Sequence, residues 1–212
     1  MAASPFIDDL SLPAFSIRSN GKDIPAEYNI ISIKVNQQLN SFHTAEIIVL
    51  DGDPADDSFK ISGSEIFEPG AAIEIQLGYG TGKTTGVFRG LVTSHLLAVN
   101  SKAGPTLTIL CKDVVIAQNE FDPGQSPVLI LTHGENIIDA ELQLDAEHRS
   151  AVTTKFRGFI RFQGTPLATV NSTIQVNGFG NRFYEDLFIS AVEHLVTDGN
   201  WITKVQIGIA PD

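Results

Sequence analysis

Apolar and polar residues alternate with a period of two along much of this chain, and that alternation constrains the fold more than any motif does. Ile31, Ile33 and Val35 alternate with Ser32, Lys34 and Asn36, and Ala45, Ile47 and Val49 resume the pattern after a break at Asn40 and Ser41. Ile73, Ile75 and Leu77 alternate with Glu74 and Gln76; Phe156, Gly158, Ile160 and Phe162 alternate with Arg157, Phe159 and Arg161. Successive side chains of a strand point to opposite faces, so each run predicts a strand with one face on a core and the other toward water. An amphipathic helix of ordinary length is hard to find. The expected fold class is all-β and antiparallel.

The turns between these runs set the organisation. Asn20-Gly21 suits a two-residue type I′ hairpin, and Asp198-Gly199-Asn200 a second tight one. A glycine-rich turn spans residues 78–86, and residues 100–105 join the runs 87–99 and 106–112 as a hairpin. Asp53 as N-cap and Pro54 at the first helical position predict a helix of a turn or two before the strand at Ala71. Residues 1–12 form a loose arm, broken by Ser4-Pro5 and Leu12-Pro13. Two prolines and a glycine between Asn119 and Pro127 predict a linker. The division expected is 1–118, a linker at 119–127, and a second β unit at 128–212 with strands near 128–131, 140–144, 156–162, 174–176, 187–195 and 201–209.

Composition excludes several function classes. With 25 acidic and 14 basic residues the net charge is −11, which disfavours nucleic acid and anionic membrane surfaces as partners. The single cysteine, Cys111, rules out an internal disulfide and lies on the strand face of Leu107 and Ile109, as a buried structural thiol would. No signal-peptide-like run opens the chain, so synthesis in a bacterial cytoplasm without a secretory signal is expected.

Candidate chemistry is sparse. Gly82-Lys83-Thr84 imitates a phosphate loop, but Leu77 stands where its first glycine belongs, and a strand follows instead of a helix. His43, His95, His133, His148 and His194 lack metal-ligand spacing and are expected at the surface or rim. Asp51, Asp53, Asp56 and Asp57 hint at calcium. Counted from Asp51, however, the sixth position is Asp56 where glycine is required, and the twelfth is Ser62 where a glutamate is. No nucleophile elbow or Ser-His-Asp set is present. No catalytic, cofactor-binding or metal residues are assigned, and the chain is read as a non-enzyme.

The order of the smaller motifs carries a resemblance. Leu50-Asp51-Gly52-Asp53-Pro54, Phe67-Glu68-Pro69-Gly70, Gly78-Tyr79, Val87-Phe88-Arg89-Gly90 and Cys111-Lys112-Asp113 occupy the first half. Arg157-Gly158, Phe162-Gln163-Gly164, Phe179-Gly180-Asn181-Arg182-Phe183 and Gly199-Asn200-Trp201 occupy the second. Together they resemble the N-terminal hub of valine–glycine repeat (VgrG) spike proteins of contractile injection systems, with the flavour of extracellular phage-tail-like particles and a relation to type VI secretion. The resemblance implies two tube-like antiparallel β-barrels, related by duplication, with one short helix in each connection. It further implies a homotrimer forming a pseudo-sixfold ring that adapts a hexameric inner tube to a trimeric spike, with tube and baseplate or spike proteins as partners.

On that reading Asp51, Gly52, Asp53, Pro54, Phe67, Pro69, Gly70, Gly90, Gly164, Gly180 and Trp201 are structural motif residues. The long inserts usual in that family after the segments matching Cys111-Lys112-Asp113 and Asp145-Ala146 are short here, and the chain reaches Asp212 where a further domain and needle would begin. The rival reading, an extracellular carbohydrate- or protein-binding β-sandwich, would want exposed aromatics. The chain has one Trp and three Tyr, and most of its 13 Phe fall at core-like positions. A small β-fold hydrolase would want an acid/base pair.

Overall fold

A computed structural model of the chain describes residues 12–52, 58–100, 104–114, 126–144 and 152–209. The first half carries β1 (Pro13–Ser19), β2 (Lys22–Asp23), β3 (Ile30–Gln38), β4 (Thr44–Leu50), β5 (Ala72–Tyr79), β6 (Thr85–Asn100) and β7 (Gly104–Lys112). The second carries β8 (Leu129–Thr132), β9 (Ile137–Leu144), the single-turn helix α1 (Val152–Lys155), β10 (Phe156–Gln163), β11 (Thr173–Asn177), β12 (Leu187–Thr197) and β13 (Asn200–Ile207). The protein is all-β.

Local chemistry explains the turns. Asn20 and Gly21 both take positive φ (48° and 78°), as do Asp198 and Gly199 (50° and 72°). A type I′ two-residue hairpin needs both central residues there, and Asn, Asp and Gly tolerate it. The alternation places Ile33, Val35, Ala45, Ile47, Val49, Ile73, Ile75 and Leu77 inward, all buried. Ile31 is the exception. The ladder slips between Ile30 and Ser32, so Ile31 is the extra residue of a bulge and turns outward.

One hydrogen-bonded path runs β2-β1-β5-β6-β7-β4-β3-β12-β13-β10-β9, with β11 and β8 branching from β12. Among the described residues it stays open at β2 and β9, so backbone pairing closes neither half into a ring. The first half nonetheless curls: Gln37 Nε2 on β3 donates to Val87 O on β6 at 2.7 Å. Two apolar cores result, one lined by β1 and β3–β7 and one by β8–β13, with Val196 and Trp201 of the second half packed into the first core. Pairing is antiparallel, as expected, with one exception among the described residues: β8 and β11 are parallel. β9 and β10 lie between β8 and β11 in the chain, so no hairpin turn joins the two and forces them to pair antiparallel.

The two halves share a strand order. The first reads β1-β5-β6-β7-β4-β3 and the second β8-β11-β12-β13-β10-β9. The expected helix start at Asp53-Pro54 lies outside the described residues. The same connection holds a 3₁₀ turn at Glu65–Phe67, started by Ser64, whose Oγ accepts from Ile66 N at 3.4 Å. The second half holds α1 and a 3₁₀ turn at Asn181–Phe183. Of the predicted linker, only Ser126 and Pro127 are described.

Candidate functional site

The place where the halves meet is built by β12, which changes partner along its length. Leu187 and Phe188 pair with β11, whereas residues 191–197 pair with β3, with His194 opposite Val35 and Val196 opposite Ile33. The switch falls at Ser190, where Leu39 N donates to Ser190 O at 2.9 Å. Strands far apart in sequence are thereby fused into one ladder.

Under that ladder lies a buried polar and aromatic cluster. The Asp198-Gly199 turn sends Trp201 inward at the start of β13, where it is 3% exposed. The Tyr79 ring stacks on it at 5.2 Å, and His194 lies against it at 5.8 Å. Gly164 is there because nothing larger fits: a Cβ would lie 2.1 Å from Trp201 Cγ. Tyr79 Oη donates to Gly164 O at 3.1 Å, binding β5 of the first half to the second. His194 Nδ1 lies 3.0 Å from Thr203 Oγ1, which accepts from Thr165 N at 3.1 Å. Burial pushes the His194 imidazole down to about 4. Burial also pushes the Tyr79 phenol up, against a hydrogen bond with Gln163. At neutral pH the cluster is uncharged, as a buried seam requires.

The remaining sequence-selected residues are spread through the fold. Asp51, buried, accepts from Ile61 N at 2.9 Å through Oδ1 and from Ser62 N at 2.7 Å through Oδ2. Burial alone would raise its pKa, but the Ile61, Ser62 and Gly52 hydrogen bonds outweigh it and hold the carboxyl below its ordinary value. It ties down a loop ten residues away. Gly52 (φ 102°) sits where a Cβ would strike Pro105 and Phe59. Phe67 is fully buried beside Tyr28, ring centroids 6.3 Å apart. Pro69 is exposed, and Gly70 N donates to Val92 O at 2.8 Å. A Cβ on Gly90 would lie 2.4 Å from Lys112 O. Gly180 (φ 84°) opens the 3₁₀ turn at Asn181–Phe183. Asp53 and Pro54 lie outside the described residues. Gly164 and Trp201 alone are brought into mutual contact at the seam.

His194 corrects one expectation. It is buried, not at the rim, because it occupies the inward register of β12 between Val192 and Val196. That alternation was the signal available in the sequence; Tyr79 stood in the Gly78-Tyr79 motif, while Thr165 and Thr203 offered none. His43 is half-buried, with burial lowering its pKa against the pull of Asp113. His95 Nε2 bonds Phe67 O, His133 meets Phe179 edge-on, and His148 lies outside the described residues. Burial pushes the Cys111 thiol up to about 12, which leaves it without thiolate near neutrality. The Gly82-Lys83-Thr84 segment is the tip joining β5 to β6. Among the described residues, no group of three or more His, Cys, Asp or Glu could hold a metal ion, and no helix is long and apolar enough to cross a membrane.

The family model of the Alg8 N-terminal domain matches residues 9–121 and 149–198. No curated protein matches the chain by sequence. Among solved structures, a tail protein from Neisseria meningitidis MC58 superposes with a TM-score of 0.64 at 10% identity, covering 92% of this chain and 96% of that one. The 43 kDa tail protein of prophage MuSo2 from Shewanella oneidensis gives 0.59 at 8% identity, covering 93% and 96%. The E. coli c3393 protein, a component of the type VI secretion system with structural similarity to the T4 bacteriophage tail proteins gp27 and gp5, gives 0.54 at 8% identity, covering 92% and 77%. At such identities the likeness is one of fold, and that fold is shared with phage-tail proteins and a type VI secretion component.

Proposed function

The chain belongs to the Alg8 N-terminal domain family, and from that membership and its tail-protein fold we propose that it is a structural hub of a contractile injection system or phage-tail-like baseplate. Three copies form a ring of pseudo-sixfold symmetry that joins a hexameric inner tube to a trimeric spike, within an assembled injection particle. The role is geometric and non-enzymatic, with tube, baseplate and spike proteins as partners and with neither nucleic acid nor membrane bound. The observation that carries this reading is the repeated strand order, β1-β5-β6-β7-β4-β3 and β8-β11-β12-β13-β10-β9. A duplicated, tube-like β unit lets three chains offer six similar faces, which a single unit cannot. Asp51, Gly52, Asp53, Pro54, Phe67, Pro69, Gly70, Gly90, Gly164, Gly180 and Trp201 serve as scaffold in these units. The net charge of −11 keeps unassembled copies apart.

Light scattering across a concentration series tests the reading. The expected particle has about three times the chain mass of 22.9 kDa. A monomer at every concentration, unable to associate with tube protein, would count decisively against it.

A further inference from the structure

The shared strand order makes four strands of one half the counterparts of four in the other, β3 of β9, β6 of β12, β4 of β10 and β7 of β13, while β2 has no counterpart and β1–β5 is antiparallel where β8–β11 is parallel. Irregularities fix the correspondence residue by residue. The β6–β7 ladder slips between Val92 and Ser94, and the β12–β13 ladder between Ile189 and Ala191. Ser94 therefore corresponds to Ala191, Leu97 to His194 and Val99 to Val196. The β3–β4 ladder skips Ile31, and the β9–β10 ladder skips Ile138. Val35 then corresponds to Leu142, and Ile33 to Ala140. Following the register through β7, β13, β4 and β10 gives the same assignment.

Within the chain, β3 pairs with β12 along residues 191–197. Its counterpart pairing would join β9 to residues 94–100 of β6, and both of those edges are free among the described residues. β9 pairs only with β10, and β6 from Ser94 onward pairs only with β7. The side chains show the difference. His194 and Val196, covered by β3, are 1% and 8% exposed; Leu97 and Val99, their uncovered counterparts, are 44% and 73% exposed. Long free edges flanked by apolar side chains are what proteins normally cover or blunt.

We propose that β9 of one copy pairs, antiparallel, with the outer half of β6 of the next, repeating between chains the junction that β3 and β12 make within one. This rests on the ring reading above and supplies its contact. Transferring the register sets Leu142 opposite Leu97, Ala140 opposite Val99 and Glu141 opposite Ala98 of the neighbour. The two surfaces differ, so the contact is head-to-tail, the kind that builds a closed ring when its rotation closes, instead of a twofold dimer. In-chain and between-chain junctions then alternate, and three chains supply six junctions of one kind.

Cysteine cross-linking in the full chain tests the register. Leu97→Cys and Leu142→Cys change an exposed and a half-buried side chain, and buried Cys111 does not compete. On oxidation with diamide, a mixture of the two single variants should give a disulfide-linked pair. Neither variant alone should, and Leu97→Cys mixed with Glu141→Cys, whose side chain faces the other side of the sheet, should not either. Leu97→Glu should abolish assembly in light scattering while leaving the β circular-dichroism spectrum unchanged. A three-chain particle without the Leu97–Leu142 cross-link, or with like-to-like cross-links, overturns this pairing and leaves the ring intact. A monomer at all concentrations overturns both.

Discussion

Replacing Gly164 by alanine probes the seam between the halves through a single methyl group. The added Cβ would lie 2.1 Å from Trp201 Cγ and 2.2 Å from Cδ2. Carbon–carbon contacts are comfortable only from about 3.5 Å, so the indole has to retreat by more than about 1 Å. It has little room to do so. The ring is buried, stacked on Tyr79 and flanked by His194. The Gly164 backbone cannot yield freely either, since its carbonyl accepts from Tyr79 Oη and its N–H donates to Trp201 O at 2.8 Å. Overpacking a well-filled core costs about 1–3 kcal/mol, and a site pinned on both sides belongs at the upper end. In a chain of this size that lowers Tm by roughly 2–4 °C per kcal/mol. Urea unfolding followed by the emission of Trp201, the one tryptophan of the chain, reads the seam itself. Gly86→Ala is the control, because its Cβ would meet nothing within 4 Å; it should stay within about 0.5 kcal/mol of the native protein. If Gly164→Ala proves as stable as Gly86→Ala, the seam is not packed as described and the reasoning fails.

Two further outcomes concern pH. His194 is held near 4 in the folded chain against 6.5 when exposed, so the unfolded chain takes up its proton first as pH falls. Its contribution is complete above about 6.5 and is lost between 6.5 and 4, worth up to about 3 kcal/mol; urea midpoints of His194→Gln should lack this slope, and an unaltered slope would assign it elsewhere. Asp51 behaves in the usual carboxylate sense, its stabilisation present above about 3.8 and lost as pH drops through its lowered folded value. Asp51→Asn should cost about 1.5–3 kcal/mol at pH 7, from two charge-assisted hydrogen bonds, with the deficit narrowing below pH 3.8. A deficit constant with pH would show that the charge is immaterial.

The alternation of apolar residues was enough to place the strands and to choose their faces, because side-chain direction in a strand depends only on local backbone geometry. It put Ile47, Ile75 and Ile160 in the core, and Asn20-Gly21 and Asp198-Gly199 at hairpins, as the structure has them. It misjudged Ile31, since a bulge is a property of two strands and not of one. It marked Gly164 and Trp201 without showing that one is small because the other is large. Period two says which way a side chain points but not which strand lies alongside, for every strand offers the same backbone N–H and C=O groups. That β3 pairs with β12, that β8 runs parallel to β11, and that His194 sits dry beneath the join were decided by tertiary packing, where apolar faces chose among partners the backbone could not distinguish.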